Sequence, residues 1–176
     1  LKVPVARNAI QIDGLKHLCE WANKQGATGK AVEVGAYSGM GTVILSQHFK
    51  EVFAVDPWLN GYDINDHASQ TCPMKFVFEA FKERISQLGN VLYSRSKSLD
   101  ALQFIKDGEL DLVYLDGDHR YESVLNDIKG WKPKLKAGGI MAGHDWSWQS
   151  IKKALKDEIG DKDYTLFQDD SWAIKL

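Results

Sequence analysis

An α/β fold, a parallel sheet with helices on both faces, is predicted by three observations on this chain. Strand-like apolar runs alternate with helical patterns through most of its length. A strand, a glycine-spaced bend and a helix follow one another without a break from Val32 to Leu45. The alternation then stops at the end, where only Gln168-Asp169-Asp170-Ser171 separates the last two strand runs. Alternation implies right-handed crossovers between parallel strands. So short a final link permits a hairpin and forbids a parallel crossover.

The first element, Ile12 to Gln25, places Leu15, Leu18, Cys19 and Ala22 on one helical face, and Gly26 and Gly29 end it. Strands are predicted at Ala31–Val34, Val52–Val55, Val91–Tyr93, Leu110–Leu115, Gly139–Ala142, Tyr164–Phe167 and Trp172–Ile174. Helices are predicted at Thr42–Phe49, Met74–Leu88, Leu99–Ile105, Tyr121–Leu135 and Trp148–Ile159. Val77, Phe81, Ile85 and Leu88 set the period of the second of these, and Val124, Leu125, Ile128, Trp131 and Leu135 that of the fourth. The sheet therefore has six parallel strands and one antiparallel strand. The longest irregular stretch, Pro57 to Pro73, is rich in Asn, Asp and Gly and has the length of a lid or binding loop.

The 176 residues suit one domain spanning 1–176, with 1–29 as an N-terminal arm and helix. A balance of 22 basic against 24 acidic residues gives no bulk electrostatic reason to expect a nucleic acid or a membrane surface as partner. No apolar run approaches the roughly 18 residues that span a bilayer. Leu1-Lys2-Val3-Pro4 is unlike a secretory signal. Cys19 and Cys72 have no metal or redox spacing and read as buried thiols of a reducing compartment, so a cytoplasmic location is expected.

The chemistry begins at Val32-Glu33-Val34-Gly35-Ala36-Tyr37-Ser38-Gly39-Met40-Gly41. A glycine bend between strand and helix lets backbone N–H groups approach a ligand. Gly35, Gly39 and Gly41 do not have the G-x-G-x-x-G spacing of dinucleotide binders. About twenty residues on, the next strand ends in Asp56, placed to accept hydrogen bonds from a ribose. A nucleoside cofactor is expected whose diphosphate is absent or differently placed. An NAD-dependent oxidoreductase is disfavoured by the glycine spacing and the terminal hairpin.

Four segments carry a family resemblance. They are Glu33–Gly39, Val55-Asp56-Pro57-Trp58, Leu115-Asp116-Gly117-Asp118-His119-Arg120-Tyr121, and Gly138-Gly139-Ile140 through Gly143-His144-Asp145-Trp146. The chain resembles class I S-adenosylmethionine-dependent methyltransferases, and among them the small O-methyltransferase type related to macrocin and catechol O-methyltransferases. The resemblance implies a Rossmann-like three-layer sandwich with sheet order 3-2-1-4-5-7-6 and strand 7 antiparallel. It also implies S-adenosylmethionine as cofactor. Gly35, Ala36, Tyr37, Ser38 and Gly39 would offer donors to the methionine carboxylate, near a helix N-terminus. Glu33 would pair with the amino group or pin the loop. Asp56 would hold the ribose hydroxyls, with Pro57 beside it and Trp58 covering the adenosine or packing the lid. Lys97 and Ser98 match the adenine-edge position, where Ser98 is equally a natural N-cap.

Asp116 and His119 fall at positions that touch both cofactor and acceptor. The resemblance makes His119 a catalytic base, with Asp118 as competitor; the plainer role of His119 is to order the turn. Carried over by position, Asp116, His144 and Asp145 would hold a divalent cation, Mg or Mn, against the acceptor hydroxyl. His144 stands where relatives most often have an acid, which suits Mn, Fe or Zn better than Mg. The competing reading is a His144–Asp145 pair closing the fifth strand. Arg120 reads as a ligand for an acidic acceptor or as a surface residue. Trp146 and Trp148 wall an acceptor pocket or simply pack, and Asn60 to His67 recognise the acceptor or form a solvated loop. The implied activity is methyl transfer to an oxygen of a small hydroxylated acceptor, with a homodimer left open by the exposed aromatics. The alternative is a catalytically silent S-adenosylmethionine-binding module, or a subunit that needs a partner.

Overall fold

The computed structural model describes residues 7–64 and 70–176. The N-terminal helix α1 (Ala9–Lys24) leads into β1 (Lys30–Val34), α2 (Met40–His48) and β2 (Glu51–Val55). After the loop come α3 (Met74–Ile85), β3 (Val91–Ser94), the single turn α4 (Ser98–Ala101) and β4 (Leu110–Leu115). Then follow α5 (Tyr121–Trp131), β5 (Leu135–Gly143), α6 (Gln149–Ile159), β6 (Thr165–Leu166) and β7 (Trp172–Lys175). The seven strands form one sheet in the order β3-β2-β1-β4-β5-β7-β6. Strands β1 to β5 pair in parallel, and β7 runs antiparallel to both β5 and β6. Fold, sheet order and the reversed last strand are those expected.

Alternate residues of the central strand β4 explain the layering. Val113 and Leu115 pack with Ile128, Trp131, Ile151 and Leu155 from α5 and α6 on one face. Leu112 and Tyr114 pack with Leu15, Leu18, Ile44 and Leu45 from α1 and α2 on the other. A strand apolar on both faces must be covered on both. Helix α3 closes a third cluster in which Met74, Val77 and Phe81 meet Ala54 and Trp58.

Element ends differ from the sequence reading for local reasons. Helix α1 starts at Ala9, earlier than the apolar period indicates, because Asn8 and Gln11 form a reciprocal capping box. The helix expected over Leu99–Ile105 is one α-turn continued as a 3₁₀ turn, Leu102–Phe104. The helix expected to reach Leu135 stops at Trp131; Pro133 lacks the N–H to continue it, and a 3₁₀ turn, Lys132–Lys134, follows. Cys19 and Cys72 are free and buried. Among the described residues no helix is long and apolar enough to cross a membrane. Of the loop expected to recognise an acceptor, Asn65, Asp66 and His67 lie outside the described residues.

Candidate active site

Strand order reverses between β1 and β4, and a cavity of about 300 Å³ opens at the carboxyl ends of these strands. Val34 ends β1, and Gly35 turns the chain with φ +93°. The Gly35 N–H donates to the Val55 carbonyl at 2.8 Å, and the Asp116 N–H donates to the Val34 carbonyl at 2.8 Å. The bend is thus clamped between β2 and β4. A Cβ on Gly35 would overlap the carbonyl of Asp116, so only glycine fits.

Asp56 holds the other wall. Its two carboxylate oxygens accept from the backbone N–H of Tyr37 at 2.9 Å and of Trp58 at 2.6 Å. Both of those residues have φ +45°, a conformation that non-glycine residues adopt only when held there. Burial pushes the Asp56 carboxyl up to about 6, against the pull of the two N–H groups. Each oxygen keeps a lone pair for the cavity. Trp58 itself is not on the cavity wall. It is buried against Phe78 and Phe81, and its indole N–H donates to the Tyr37 carbonyl at 2.7 Å.

Glu33 lies under the bend, 1 % exposed, and accepts from the Thr42 hydroxyl. Burial pushes its carboxyl up to about 8, partly offset by Thr42 and Arg7. The folded chain therefore holds a proton that the unfolded chain, titrating near 4.5, has lost. That contribution to stability is present at low pH and disappears as pH rises through about 8. Glu33→Gln keeps the shape without the titration. Its melting temperature should exceed that of the wild type by a margin that widens from pH 5 to pH 8.

Across the cavity, Asp116 ends β4 and forms an ion pair with Arg7, and its other oxygen lies 3.8 Å from His144 Nδ1. His144 Nδ1 is 3.2 Å from Asp145, while His144 Nε2 is buried with no hydrogen-bond partner among the described residues. One ligand atom from each of Asp116, His144 and Asp145 falls within 4.8 Å of the others. Burial disfavours charge on His144, but Asp145 and Asp116 outweigh it and raise the imidazole to about 9.

His119 and Asp118, the two residues expected to compete for the base role, both have charged partners in the folded chain. His119 Nδ1 contacts Asp63 at 2.6 Å and Nε2 contacts Asp145 at 2.8 Å. Burial opposes the charge, yet these two carboxylates raise the imidazole to about 10. The ring thus bridges two carboxylates, which favour its protonated form. Asp118 accepts from Arg120 through backbone and guanidinium and from Ser123, which hold its carboxyl below the usual range despite burial. It orders the turn into α5, and Arg120 is spent on it. Trp148 lies against His119 with ring centroids 4.8 Å apart, whereas Trp146 packs on Tyr164 away from the cavity.

Ser98 lines the cavity but caps nothing: Lys97 is the N-cap, and no side chain bonds there. The Ser98 hydroxyl instead accepts from the indole N–H of Trp131 at 2.8 Å and bonds Asp127, whose carboxyl burial pushes up to about 7. Ser98→Ala leaves the buried indole N–H unpaired and should cost about 1–3 kcal/mol in a urea titration. Gly35, Ala36 and Tyr37 line the cavity with Asp56 and Pro57; Ser38, Gly39 and Lys97 do not line it. The sequence reading missed Arg7 and Asp127, and took in Asp63 only as part of the Asn60 to His67 stretch. Their signal is only that each is a charged residue with almost no exposed surface, which appears once the chain is folded.

The sheet order, the glycine bend and the acid ending β2 together define a class I S-adenosylmethionine-dependent methyltransferase fold. The chain belongs to the methyltransferase-domain family, whose model matches residues 32–146. Solved structures bear out the fold. The O-methyltransferase NovP shares 15% identity at TM-score 0.70, covering 93% of this chain and 78% of NovP. An O-methyltransferase from Bacillus cereus in complex with SAH shares 15% at TM-score 0.69, covering 99% and 84%. The N-methyltransferase NodS from Bradyrhizobium japonicum WM9 shares 14% at TM-score 0.65, covering 97% of each. An uncharacterized Sinorhizobium fredii protein, y4gI, is 30% identical over 128 residues. That match takes in 66% of this chain but 13% of y4gI, so the chain spans about an eighth of that relative.

Proposed function

We propose that this domain transfers the methyl group of S-adenosylmethionine to an oxygen of a small hydroxylated acceptor. The observation that carries this reading is one cavity lined at one end by the glycine bend and Asp56, and at the other by Asp116, His144 and Asp145. The residues suit the cofactor. The glycine bend lines the cavity with backbone, Asp56 has lone pairs to spare for a vicinal diol, and Glu33, once ionised, suits an ammonium group. Ser98 and Asp127 line the same cavity, with acceptors suited to an adenine amino group. The chain's part in the reaction is alignment: it holds nucleophile, methyl carbon and sulfur in line and keeps water out. Methyl transfer would form the C–O bond as the C–S bond breaks; the C–S electron pair would leave on sulfur as S-adenosylhomocysteine, and the hydroxyl proton would pass to a carboxylate of the acceptor corner and on to solvent.

Oxygen is preferred to nitrogen because of the second corner, since the same fold occurs in proteins described as O- and as N-methyltransferases. Asp116, His144 and Asp145 fit a divalent cation in ligand type and mutual distance. When bound, such an ion lowers the pKa of a neighbouring hydroxyl. His144 must be neutral to act as a ligand. A second reading, transfer without a cation, is favoured by a specific observation. Arg7 already pairs with Asp116, and His119 with Asp145, so protein cations neutralise the corner.

The test is conversion of S-adenosylmethionine in the presence of a hydroxylated acceptor panel, with Mg, with Mn and with a chelator. Acceptor-dependent conversion supports the enzyme. Binding of S-adenosylhomocysteine without any conversion favours a silent module or a partner-dependent subunit. Conversion that survives the chelator selects the second reading.

A further inference from the structure

We infer that Arg7 anchors the carboxylate of the cofactor's methionine end, and that Arg7 and Glu33 together recognise a zwitterionic α-amino acid group. This rests on the cofactor reading above. Arg7 stands just before α1, is 6 % exposed and lines the cavity. Its Nη2 reaches the Tyr114 hydroxyl at 3.3 Å and pairs with Asp116, and its guanidinium lies 5.6 Å from the centre of the Tyr114 ring. Its Nη1 is buried and has no hydrogen-bond partner among the described residues. A buried guanidinium N–H without an acceptor is costly and marks a place where an acceptor belongs.

A second feature meets it there. An atom at the Cβ position of Gly41 would lie 3.4 Å from Arg7 Nε, so the guanidinium sits beside the first turn of α2. That nine-residue helix begins after Gly39, which has no side chain to cap its N–H groups. The orphan guanidinium N–H and the uncapped helix end both ask for an anion. Glu33 borders the same turn; an ammonium group beside it would favour its ionised form and pair with it, which a phosphate dianion would not. One negative and one positive group a few ångströms apart describe an α-amino acid. Because the same guanidinium holds Asp116, it also links the methionine end of the cofactor to the acceptor corner. Arg7 is in this respect a positioning residue as well.

The experiment compares two ligands by calorimetry on wild type, Arg7→Met and Arg7→Lys. S-adenosylhomocysteine carries the amino acid end, and 5′-methylthioadenosine has the same nucleoside and thioether without it. Arg7→Met should weaken S-adenosylhomocysteine about 10- to 100-fold, the range of a charged hydrogen-bonded contact, and methylthioadenosine less than about 3-fold. Arg7→Lys keeps the charge but loses the fork and should fall between. Unchanged S-adenosylhomocysteine affinity, or a parallel loss for both ligands, overturns the inference. If Arg7→Met does not fold, the carboxamide of S-adenosylhomocysteine on wild type decides: binding as tight as the carboxylate overturns it. Wild type that binds neither nucleoside overturns the cofactor reading itself, which is a separable outcome.

Discussion

Gly35→Ala should destabilise the domain by about 3 kcal/mol or more, and what folds should not bind S-adenosylhomocysteine. The backbone there has φ +93°, and the new methyl group would meet the Asp116 carbonyl and lie 2.8 Å from the Gly117 nitrogen. These are backbone atoms fixed by the β1–β4 ladder, so no side chain can turn aside. Relief means pulling β1 from β4 at the cavity floor, where both the Asp116 N–H bond to Val34 and the Gly35 N–H bond to Val55 are made. Gly26 supplies the control. It has φ +95° and nothing within 4 Å of its Cβ position. Gly26→Ala should cost only the left-handed conformation, about 1–2 kcal/mol, and leave binding intact. Urea titrations of both variants, with calorimetry, measure the close approach as the difference. Equal costs would mean that the bend is not clamped between the strands.

What was legible in the sequence is what neighbours encode. The bend, the acid ending β2 and the hairpin before β7 are each written within a few residues, and each stands where expected. What stayed hidden is what tertiary structure brings in from a distance. Nothing near His119 in the sequence tells that Asp63, from the loop after β2, meets its Nδ1 and Asp145 its Nε2. Ser98 has the composition and place of a cap, but an indole N–H from α5 claims its hydroxyl. Arg7 lies before the first recognisable element and still reaches Asp116. Side chains that act through long-range pairs leave no period or spacing to read, and burial of a charge becomes visible only in the folded chain.

The second large effect belongs to the acceptor corner. His144→Ala should lower turnover about 10²- to 10³-fold, while S-adenosylhomocysteine affinity changes less than about 3-fold. His144 is the cleanest probe of that corner. Asp116 is tied to Arg7, so its replacement also disturbs the cofactor end, and Asp145 is tied to His119. Among the described residues, His144 Nδ1 faces those two carboxylates, and its Nε2 has no hydrogen-bond partner to lose. Removing the ring therefore deletes one side of the corner without breaking the nucleoside site, a split between kcat and ligand affinity that a general folding defect cannot produce. The chelator arm then separates two ways of supplying positive charge. If wild-type turnover needs Mg or Mn and His144→Ala loses it, the three side chains hold the ion. If wild type ignores the chelator and His144→Ala stays active, Arg7 and His119 carry that charge themselves, and the acceptor hydroxyl is activated by protein cations alone.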